Sequence, residues 1–486
     1  MSKGVLAFDF GASSGRAIKG SFEDGRIKLK EIHRFKNTPI YENDNIYWDI
    51  DYLFGEIKKA LALCEDYESI GIDTWGVDFG LIDKESNIIK QPVNYRDPRT
   101  KGMLEKVSEK ISRDKLYSLT GNQIMEINTL FQLYYEMLNN KKVFDSVDKI
   151  LLMPDLLNFL LTGEKKAERS IASTTQLIDP YKKQWNDYLL EQLELRKDIF
   201  PILVSPGTEI GLIKEDIAKE INIERKTVIA VCGHDTASAV AAVPAEQDFI
   251  FISCGTWALL GTELQRPIIT EKSLEYNLTN EMGINGTTTF LKNLTGLWLL
   301  QQTKNQFEKE SKNYSFSDIE QLAKEAEAFK CFIDTDLDRF MTPGDIPQRI
   351  KEYASETGQR VPQTDGEVIR CIYESLAFKY RYTYEQISEC LEKKYEKIHI
   401  VGGGSRDSLL CQMIAEASSM EVIAGPVEAT AIGNILVQLI ARGEIKDLEE
   451  GRKVIKTSFA TIKYSPFEHK IWNKEYERYK NIIRRV

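Results

Sequence analysis

The chain contains the same strand–turn–strand pattern twice, and this repetition constrains the fold more than any other feature of the sequence. The first copy is VLAFDFGASSGRAIKGSF (5–22) and the second is FIFISCGTWALLGTEL (249–264). Each copy places an apolar run, a turn of glycine and small polar residues, and a second strand in succession. Two such units in a chain of 486 residues predict two domains that begin alike, the second starting near residue 245.

Elsewhere the sequence alternates between strand and helix patterns. Asp24-Gly25 between two strand-like runs predicts a β-hairpin, and apolar residues recur at helical spacing over 53–64. A mainly helical region over 102–200 follows. Later segments predict a buried strand and a small-residue helix (227–243), strands at KIHIV and EVIAG, and helices over 406–418 and 428–442. This order predicts an α/β fold in which a mixed sheet carries helices on its faces.

The charge balance and apolar content exclude several classes of protein. The 64 basic and 74 acidic side chains give a net charge of −10, which argues against nucleic acid or an anionic membrane as partner. No stretch approaches the ~20 apolar residues that span a bilayer, and the N-terminus does not resemble a secretory signal. The seven cysteines are scattered without metal-site spacing. We therefore expect a cytoplasmic protein with reduced thiols.

The two turns have the composition of phosphate-binding loops. In GASSGR (11–16), backbone N–H groups and the hydroxyls of Ser13 and Ser14 are suited to bind an anion. Asp9, at the end of the preceding strand, is suited to hold Mg²⁺ through water. Neither GxxxxGK[ST] nor GxGxxG is present, so a plain hairpin loop is the alternative. Because SCGTW (253–257) repeats the pattern, the pair of turns favours a polyphosphate ligand.

The segment Gly233-His234-Asp235 separates the predicted buried strand from the small-residue helix. The N-terminus of that helix offers amides to a phosphoryl group, and Asp235 is placed to accept a hydroxyl proton. The structural alternative is that Asp235 only caps the helix. The chain has four histidines without paired spacing, so we do not expect His234 to bind a metal.

Two other motifs suggest contacts with the rest of a ligand. The glycines of GGG (402–404) follow a strand and allow a ring or ribose to lie on the backbone, or they form a flexible turn. DTWG (73–76) and YRDPR (95–99) combine an aromatic face with polar groups, which suits a sugar. The alternative for Trp75 is an ordinary core position.

With these motifs assembled, the sequence resembles the FGGY family of carbohydrate kinases along nearly its whole length, and within it the branch that acts on L-rhamnulose. The resemblance implies a two-domain α/β fold of the ribonuclease-H-like type, shared with actin and hexokinase, with the active site in a cleft between domains 1–244 and 245–486. The matching segments are GASSGR (11–16), EIHRF (31–35), GIDTWGVDFGL (71–81), NYRDPRT (94–100), LLMPD (151–155), HDTASAV (234–240), GTWALLG (255–261), LKNLTGLWLLQ (291–301), IHIVGGG (398–404) and VIAGPVEATAIGN (422–434).

The resemblance also implies an activity and roles for individual residues. The implied reaction transfers the γ-phosphate of Mg-ATP to O1 of L-rhamnulose, giving L-rhamnulose 1-phosphate and ADP, in L-rhamnose catabolism. Asp235 is the implied proton acceptor, and Asp9 matches the aspartate on the metal side. The first domain is implied to bind the sugar and the second the adenosine. The implied ATP contacts are Ala12, Ser13, Ser14, Gly15, Arg16, Thr256, Gln301 and Gly403, and the implied sugar contacts are Gly76, His234, Asp235, Thr236 and Asn293.

The sequence departs from the family pattern at two places. NTLFQLYYE (128–136) lacks a lysine-containing motif that many FGGY kinases carry, and Cys254 stands where a small hydroxyl residue is common, which removes a side-chain donor to phosphate. Three alternatives stay open: a kinase for L-fuculose or another ketose or glycerol, an actin-like or chaperone-type ATPase, and a sugar-sensing pseudokinase. The sequence gives no indication of the oligomeric state.

Overall fold

The computed structural model describes residues 4–246 and 248–484, which form two compact units. The first unit comprises the residues up to 246 together with 263–290 and 429–459. The second comprises 248–262, 291–428 and the residues from 460 onward. Two pieces of the second half of the sequence therefore fold with the first half.

The secondary structure follows the alternation that the sequence predicts. The strands are β1 (Gly4–Phe10), β2 (Ser14–Glu23), β3 (Arg26–Lys36), β4 (Ile40–Glu42), β5 (Asn45–Tyr47), β6 (Tyr67–Thr74), β7 (Phe79–Ile82), β8 (Lys149–Leu152), β9 (Lys166–Glu168), β10 (Ile178–Asp179), β11 (Gln184–Trp185), β12 (Ile202–Val204), β13 (Glu209–Leu212), β14 (Thr227–Ile229), β15 (Ile250–Cys254), β16 (Trp257–Leu264), β17 (Thr279–Met282), β18 (Thr288–Thr295), β19 (Lys397–Val401), β20 (Glu421–Ala424) and β21 (Ile462–Tyr464). The α-helices are α1 (Ile50–Leu63), α2 (Met103–Ser108), α3 (Arg113–Thr120), α4 (Thr129–Asn139), α5 (Lys141–Ser146), α6 (Met153–Thr162), α7 (Arg169–Ala172), α8 (Asp187–Gln192), α9 (Glu215–Glu220), α10 (Asp235–Ala241), α11 (Glu271–Glu275), α12 (Trp298–Lys309), α13 (Phe316–Glu325), α14 (Asp338–Met341), α15 (Ile346–Glu356), α16 (Asp365–Leu391), α17 (Ser408–Ser418), α18 (Ala429–Ala441), α19 (Leu448–Ser458) and α20 (His469–Ile483).

A mixed sheet with the strand order β13-β14-β6-β1-β2-β3 organises the first unit. The fully buried strand β1 pairs in parallel with β6 and antiparallel with β2. Asp24 and Gly25 connect β2 to β3 with φ values of 51° and 73°, the left-handed conformation that a tight hairpin turn needs. The predicted hairpin is confirmed. Because β1 and β6 are parallel, their carboxyl ends meet at one edge of the sheet.

The helices of the first unit include a close-packed pair of small-residue helices. A Cβ atom added to Gly433 of α18 would overlap the carbonyl oxygen of Ser238 in α10, so the two backbones are in contact. This close approach keeps α18 against the sheet, where the Gln438 side chain donates to the carbonyl of Leu6 in β1. The predicted amphipathic helix over 53–64 is α1, which buries its regular apolar face.

The strands of the second unit follow the order β18-β16-β15-β19-β20-β21. β15, β19 and β20 are parallel, and β16 runs antiparallel to β15. The 27-residue helix α16 begins with a capping box at Thr364 and buries most of its apolar face. The predicted helices over 406–418 and 428–442 are α17 and α18, whose ends lie within two residues of the prediction.

The predicted repetition is confirmed, since β1–β2 and β15–β16 are both antiparallel pairs joined by a short turn, each with a parallel strand beside its first member. All seven cysteines are free thiols, and six of them are buried. None of the helices in the described ranges is both long and apolar enough to cross a bilayer.

Candidate active site

The first turn, residues 11–13, joins β1 to β2 and is held by the buried residue Asn37. The backbone N–H of Asn37 donates to the carbonyl of Ser13 (3.0 Å), and its side-chain amide donates to the carbonyl of Gly11 (2.9 Å). A trans peptide carries its N–H opposite to its C=O. The amide of Ala12 therefore points away from Asn37, as an anion-binding turn requires.

The second turn, residues 255–256, joins β15 to β16 and is held by backbone groups at the start of α12. The N–H of Leu297 donates to the carbonyl of Gly255 (2.9 Å), and the N–H of Trp298 donates to the carbonyl of Thr256 (3.1 Å). By the same peptide geometry, the amide of Thr256 points away from Leu297.

Several predicted ATP contacts lie around the second turn. The hydroxyl of Thr256 lies 3.5 Å from Oε1 of Gln301. Gly403 is exposed, and a Cβ atom added there would meet nothing within 4 Å, so a ring has room to lie on its backbone. The thiol of Cys254 packs against Gly404, and burial raises its pKa to about 12. This thiol therefore lies against Gly404 in the protein interior and does not point toward the turn.

An ion pair lies directly below the first turn. Asp9 and Arg16 are partners in the β1–β2 register, and the guanidinium donates from Nε (2.9 Å) and Nη2 (2.6 Å) to Oδ2 of Asp9. Asp9 is buried, whereas about a quarter of the Arg16 side chain is exposed (24%). The pair neutralises a carboxylate at the carboxyl end of β1 and keeps the guanidinium beside the turn.

A chain of polar side chains continues from Asp9 beneath the sheet. Asp9 faces Asp73 across the β1–β6 register, and Asp73 accepts a hydrogen bond from the amide of Asn434 in α18 (2.6 Å). Asn434 accepts from Gln438 (2.8 Å), which accepts from Ser69 (2.8 Å). Complete burial, together with the charge of Asp9, raises the pKa of Asp73 well above its usual range. The sequence predicted DTWG as a site motif but not this support from α18.

The end of β6 meets the loop that precedes α10. The N–H of Thr74 donates to the carbonyl of Gly233 (2.9 Å), and Thr74 forms a parallel bridge with His234. A Cβ atom on Gly76 would lie 3.1 Å from the side chain of Thr174, so a larger residue here would require that side chain to shift. Two predicted sugar contacts, Gly76 and His234, are thereby held on adjoining segments.

Asp235 is the first residue of α10, and its carboxylate is accessible. His234 is the N-cap residue, so the alternative in which Asp235 only caps the helix is wrong. Oδ1 of Asp235 accepts from the hydroxyl of Thr236 (3.1 Å) and lies 3.4 Å from Nε2 of His234, with 32% of the side chain exposed. Burial raises the pKa of Asp235; His234 opposes this rise, and the charge of Asp9 adds to it. A carboxylate of raised pKa is a better proton acceptor.

The ring of His234 contacts a second carboxylate, Glu281 of β17. Nδ1 of His234 lies 3.0 Å from Oε2 of Glu281, and both side chains are buried. Burial lowers the pKa of His234, but the neighbouring carboxylates, Glu281 first and then Asp235 and Glu168, together outweigh burial, so the pKa is raised. No motif in the sequence pointed to Glu281.

Glu168, at the end of β9, holds the loop before α10. Its carboxylate accepts from the N–H groups of Gly233 (2.8 Å) and Ser170 (2.7 Å), and the hydroxyl of Ser170 accepts from the N–H of His234 (3.2 Å). Glu168 was not among the site residues predicted from the sequence. The one available signal was an acidic residue directly before the short helix α7.

The remaining predicted sugar-site residues occupy different environments. Trp75 is buried, packs on Trp48 with a ring separation of 4.1 Å, and donates to Asp78 (3.0 Å), so the core interpretation is correct for it. Burial raises the pKa of Asp78 to about 6. Asn293 is half-buried in the β18 segment that belongs to the second unit.

The carboxylates at the strand and helix ends suit a magnesium ion that arrives with a nucleotide. Among the residues that the structure describes, no group of three or more His, Cys, Asp or Glu side chains is arranged to hold a metal. Mg²⁺ is held by one or two protein carboxylates, with waters and phosphate oxygens completing its shell. Asp9 and Asp235, which interact electrostatically, are oxygen donors of this kind.

Comparison with known proteins decides the family. A model of the N-terminal domain of the FGGY family of carbohydrate kinases matches residues 4–242, and one of the C-terminal domain matches residues 250–442. The chain belongs to the FGGY family of carbohydrate kinases. It is 41% identical to a rhamnulokinase from Bacteroides thetaiotaomicron, with 100% of both chains covered, and 42% identical to one from Oceanobacillus iheyensis, with 95% of this chain and 98% of the relative covered.

The fold of this FGGY kinase is also found among solved structures. A xylulose kinase from Lactobacillus acidophilus superposes with a TM-score of 0.80 at 15% identity, covering 99% of this chain and 97% of the other. The predicted family and the predicted two-domain α/β sugar-kinase fold are confirmed. The roles of individual site residues and the boundary at 244/245 stay predictions.

Proposed function

We propose that this FGGY kinase transfers the γ-phosphoryl group of Mg-ATP to O1 of L-rhamnulose, producing L-rhamnulose 1-phosphate and ADP. The full-length identity with rhamnulokinases supports this choice of sugar. The observation that carries the proposal is the Asp235 carboxylate, which is accessible at the start of α10 and lies beside His234. A hydroxyl group bound there would meet a proton acceptor of raised pKa.

In this proposal, the two halves of the chain bind different parts of the two substrates. Residues 1–244 bind the ketose, through Gly76, His234 and Thr236, and contribute the first turn to the phosphates. Residues 245–486 contribute the second turn, with Thr256, Gln301 and Gly403 for the rest of the nucleotide and Asn293 for the sugar. The first turn contributes Ala12, Ser13, Ser14, Gly15 and Arg16.

Asp235 orients the ketose and takes one proton. The O1–H proton passes to a carboxylate oxygen of Asp235 as the O1–Pγ bond forms, and the bond between Pγ and the bridging oxygen of ATP breaks, leaving the electron pair on ADP. An alcohol does not ionise at neutral pH unaided, so the acceptor acts during bond formation. Arg16 and the turn amides of Ala12 and Thr256 balance charge on the phosphates.

Asp9 is the residue that would hold magnesium, through water, with Asp235 nearby. When bound, the ion neutralises charge on the phosphate oxygens. Asp9→Asn is expected to raise the magnesium concentration required for half-maximal rate, and an unchanged Mg²⁺ titration would remove Asp9 from this role. We further propose that the enzyme acts in the cytoplasm, where its seven free thiols stay reduced.

The decisive experiment replaces the proposed base. Asp235→Asn is expected to lower kcat for L-rhamnulose by about 10²–10⁴-fold while ATP still binds, because the amide cannot accept the proton. Nucleotide affinity is measured by calorimetry and turnover by ADP release. Asp187→Asn, at the matching first position of the exposed helix α8, is the control and should retain full activity. Near-normal turnover in Asp235→Asn contradicts the assignment.

A panel of sugars tests the substrate. L-Rhamnulose is expected to give the highest kcat/KM, and a higher value for L-fuculose, L-ribulose, D-xylulose or glycerol would move the assignment to that sugar. ATP hydrolysis that is independent of every sugar would instead favour an ATPase switch.

A further inference from the structure

Val77, in the connection between β6 and β7, has a backbone conformation that few side chains adopt. The N–H of Asp78 donates to the carbonyl of Gly76 (2.9 Å), and φ of Val77 is 68°, so Val77 is the central residue of a γ-turn with positive φ. This turn is rare and strained, and a β-branched residue is an outlier in it. Val77 is the one β-branched residue with positive φ among the residues that the structure describes.

Buried groups hold the strained turn in place. The N–H of Val77 donates to the hydroxyl of Thr174 (3.1 Å), and its carbonyl accepts from the hydroxyl of Thr129 (2.6 Å). Both threonines are buried. The carboxylate of the next residue, Asp78, accepts from the indole N–H of Trp75 (3.0 Å). Backbone strain persists where the surrounding structure fixes it in this way, and such positions cluster at functional sites.

The exposed part of Val77 is its isopropyl group. The residue is half-buried, and both of its backbone polar groups are engaged by buried side chains, which leaves the side chain on the accessible side. Val77 lies three residues beyond the end of β6, where Thr74 forms a parallel bridge with His234, and Asp235 follows His234. In the proposed function the ketose lies between Gly76 and Asp235, so it also lies beside the residue that follows Gly76.

The side chain of Val77 is the reason for a valine at this position. Glycine adopts positive φ without strain, so a turn that only reverses the chain has no need of a branched residue. An apolar side chain is therefore kept at the sugar site in spite of its effect on the backbone.

We propose that Val77 is a specificity-determining residue, whose isopropyl group contacts the C6 methyl group of L-rhamnulose. This inference rests on the proposed function, because it concerns the sugar that the enzyme is proposed to phosphorylate. L-Rhamnulose carries one methyl group, at the end of its carbon chain opposite O1, and each of its other carbons bears an oxygen. The oxygens need hydrogen-bond partners, which an isopropyl group cannot supply, whereas the methyl group is stabilised by leaving water.

The contact selects against a hydroxyl group at C6. L-Fructose differs from L-rhamnulose only by an oxygen at C6, and that hydroxyl group would lose water against Val77 without gaining a hydrogen bond. An apolar contact rejects an added hydroxyl group only moderately, so we expect the parent enzyme to prefer L-rhamnulose to L-fructose in kcat/KM by about 10- to 100-fold.

The test changes the polarity of the side chain and keeps its branched shape. Val77→Thr, in the full-length enzyme, stays β-branched, so the turn is equally strained, but one methyl group becomes a hydroxyl. We expect the KM for L-rhamnulose to rise and that for L-fructose to fall, so that the preference drops by about tenfold. The KM for ATP should not change. ADP release measures both sugars, and thermal unfolding shows whether the variant folds.

Val143→Thr is the matched control, because Val143 is also half-buried but lies on α5. It should leave the preference for L-rhamnulose as it is in the parent enzyme. A preference in Val77→Thr that equals or exceeds the parent's overturns the proposal.

A second variant separates sugar recognition from packing. Val77→Gly removes the isopropyl group and relieves the strain of the positive φ, so we expect an unchanged or higher Tm together with a higher KM for L-rhamnulose. A lower Tm with an unchanged KM for L-rhamnulose would mean that the side chain serves only the fold, and it would overturn the proposal.

The role of Val77 and the proposed substrate fail in different ways. If the parent enzyme prefers L-rhamnulose and Val77→Thr keeps the same preference, the role of Val77 is rejected and the substrate stands. If the parent enzyme prefers L-fructose, or another ketose without a terminal methyl group, the proposed substrate is rejected and the role of Val77 with it.

Discussion

The first and second turns have the same place in their sheets but are built differently. Each joins an antiparallel pair whose first strand has a parallel neighbour. Asp9 and Arg16 form the cross-strand residue pair next to the one that closes the first turn. They are a buried carboxylate and its cation. The corresponding pair at the second turn is Ser253 and Leu259, which are neutral. The first turn therefore brings charged side chains to its site, and the second does not.

The contacts that hold the two turns in place also differ. A single residue, Asn37, holds the first turn through one hydrogen bond from its backbone N–H and one from its side-chain amide. The second is enclosed by glycines: a Cβ atom on Gly296 would lie 2.6 Å from the carbonyl carbon of Trp257, and one on Gly404 would overlap the thiol of Cys254. One turn depends on a polar side chain and the other on the absence of side chains. The same local shape can thus be reached from unrelated supports.

The largest expected effect comes from adding a methyl group beneath the second turn. In Gly296→Ala, the new Cβ would lie 2.6–2.7 Å from backbone atoms of Gly255 and Trp257, which cannot move independently of the turn. We expect the free energy of unfolding to fall by about 3 kcal/mol and ATP affinity to be lost. Thermal unfolding and nucleotide calorimetry measure the two effects.

Gly55→Ala is the control for Gly296→Ala, because an added Cβ in this helical position meets nothing within 4 Å. It should leave stability unchanged or slightly raised. If Gly296→Ala folds and binds ATP as well as the parent does, close glycine packing is not what holds the second turn.

The next largest effect tests the difference in charge between the first and second turns. Arg16→Gln leaves the buried Asp9 carboxylate without its cation, and we expect the free energy of unfolding to fall by about 2 kcal/mol. The KM for ATP should rise as well. Arg34→Gln removes an exposed arginine that pairs with Glu31 at 2.5 Å, and it should cause little change because water screens that pair. Equal losses of stability in Arg16→Gln and Arg34→Gln would mean that the Asp9–Arg16 pair stabilises the protein no more than an exposed pair does.

How far the sequence predicts this site depends on the separation of the residues that meet. The repeated turns, the Asp24-Gly25 hairpin and the start of α10 depend on neighbouring residues, and the sequence predicted all of them. The contact between Asn434 and Asp73 joins positions 361 residues apart, and nothing local marks it. Glu281 was likewise missed because its partner His234 is reached only through the folded sheet.

A smaller effect is expected from the side chain that holds the first turn. Asn37→Ala removes the donor to the carbonyl of Gly11, and we expect a loss of about 1 kcal/mol in stability and a modest rise in the KM for ATP with kcat little changed. Asn139→Ala is the matched control, since that asparagine also donates to a backbone carbonyl but on an exposed helix surface. An unaltered KM for ATP in Asn37→Ala would show that the first turn keeps its shape without this support.

The smallest effect concerns Cys254, where sequence comparison suggested a missing phosphate donor. Its thiol faces Gly404, so in Cys254→Ser the hydroxyl would face the same glycine and not the turn. We expect the KM for ATP to stay within about twofold, with a loss of about 1 kcal/mol in stability because a hydroxyl replaces a thiol in a buried position. Cys64→Ser, another buried cysteine, controls for that cost. A clear fall in the KM for ATP would mean that the residue at 254 can reach the phosphates. The second turn could then use side chains as the first does. The difference between the two turns would in that case lie in their residues and not in how they are built.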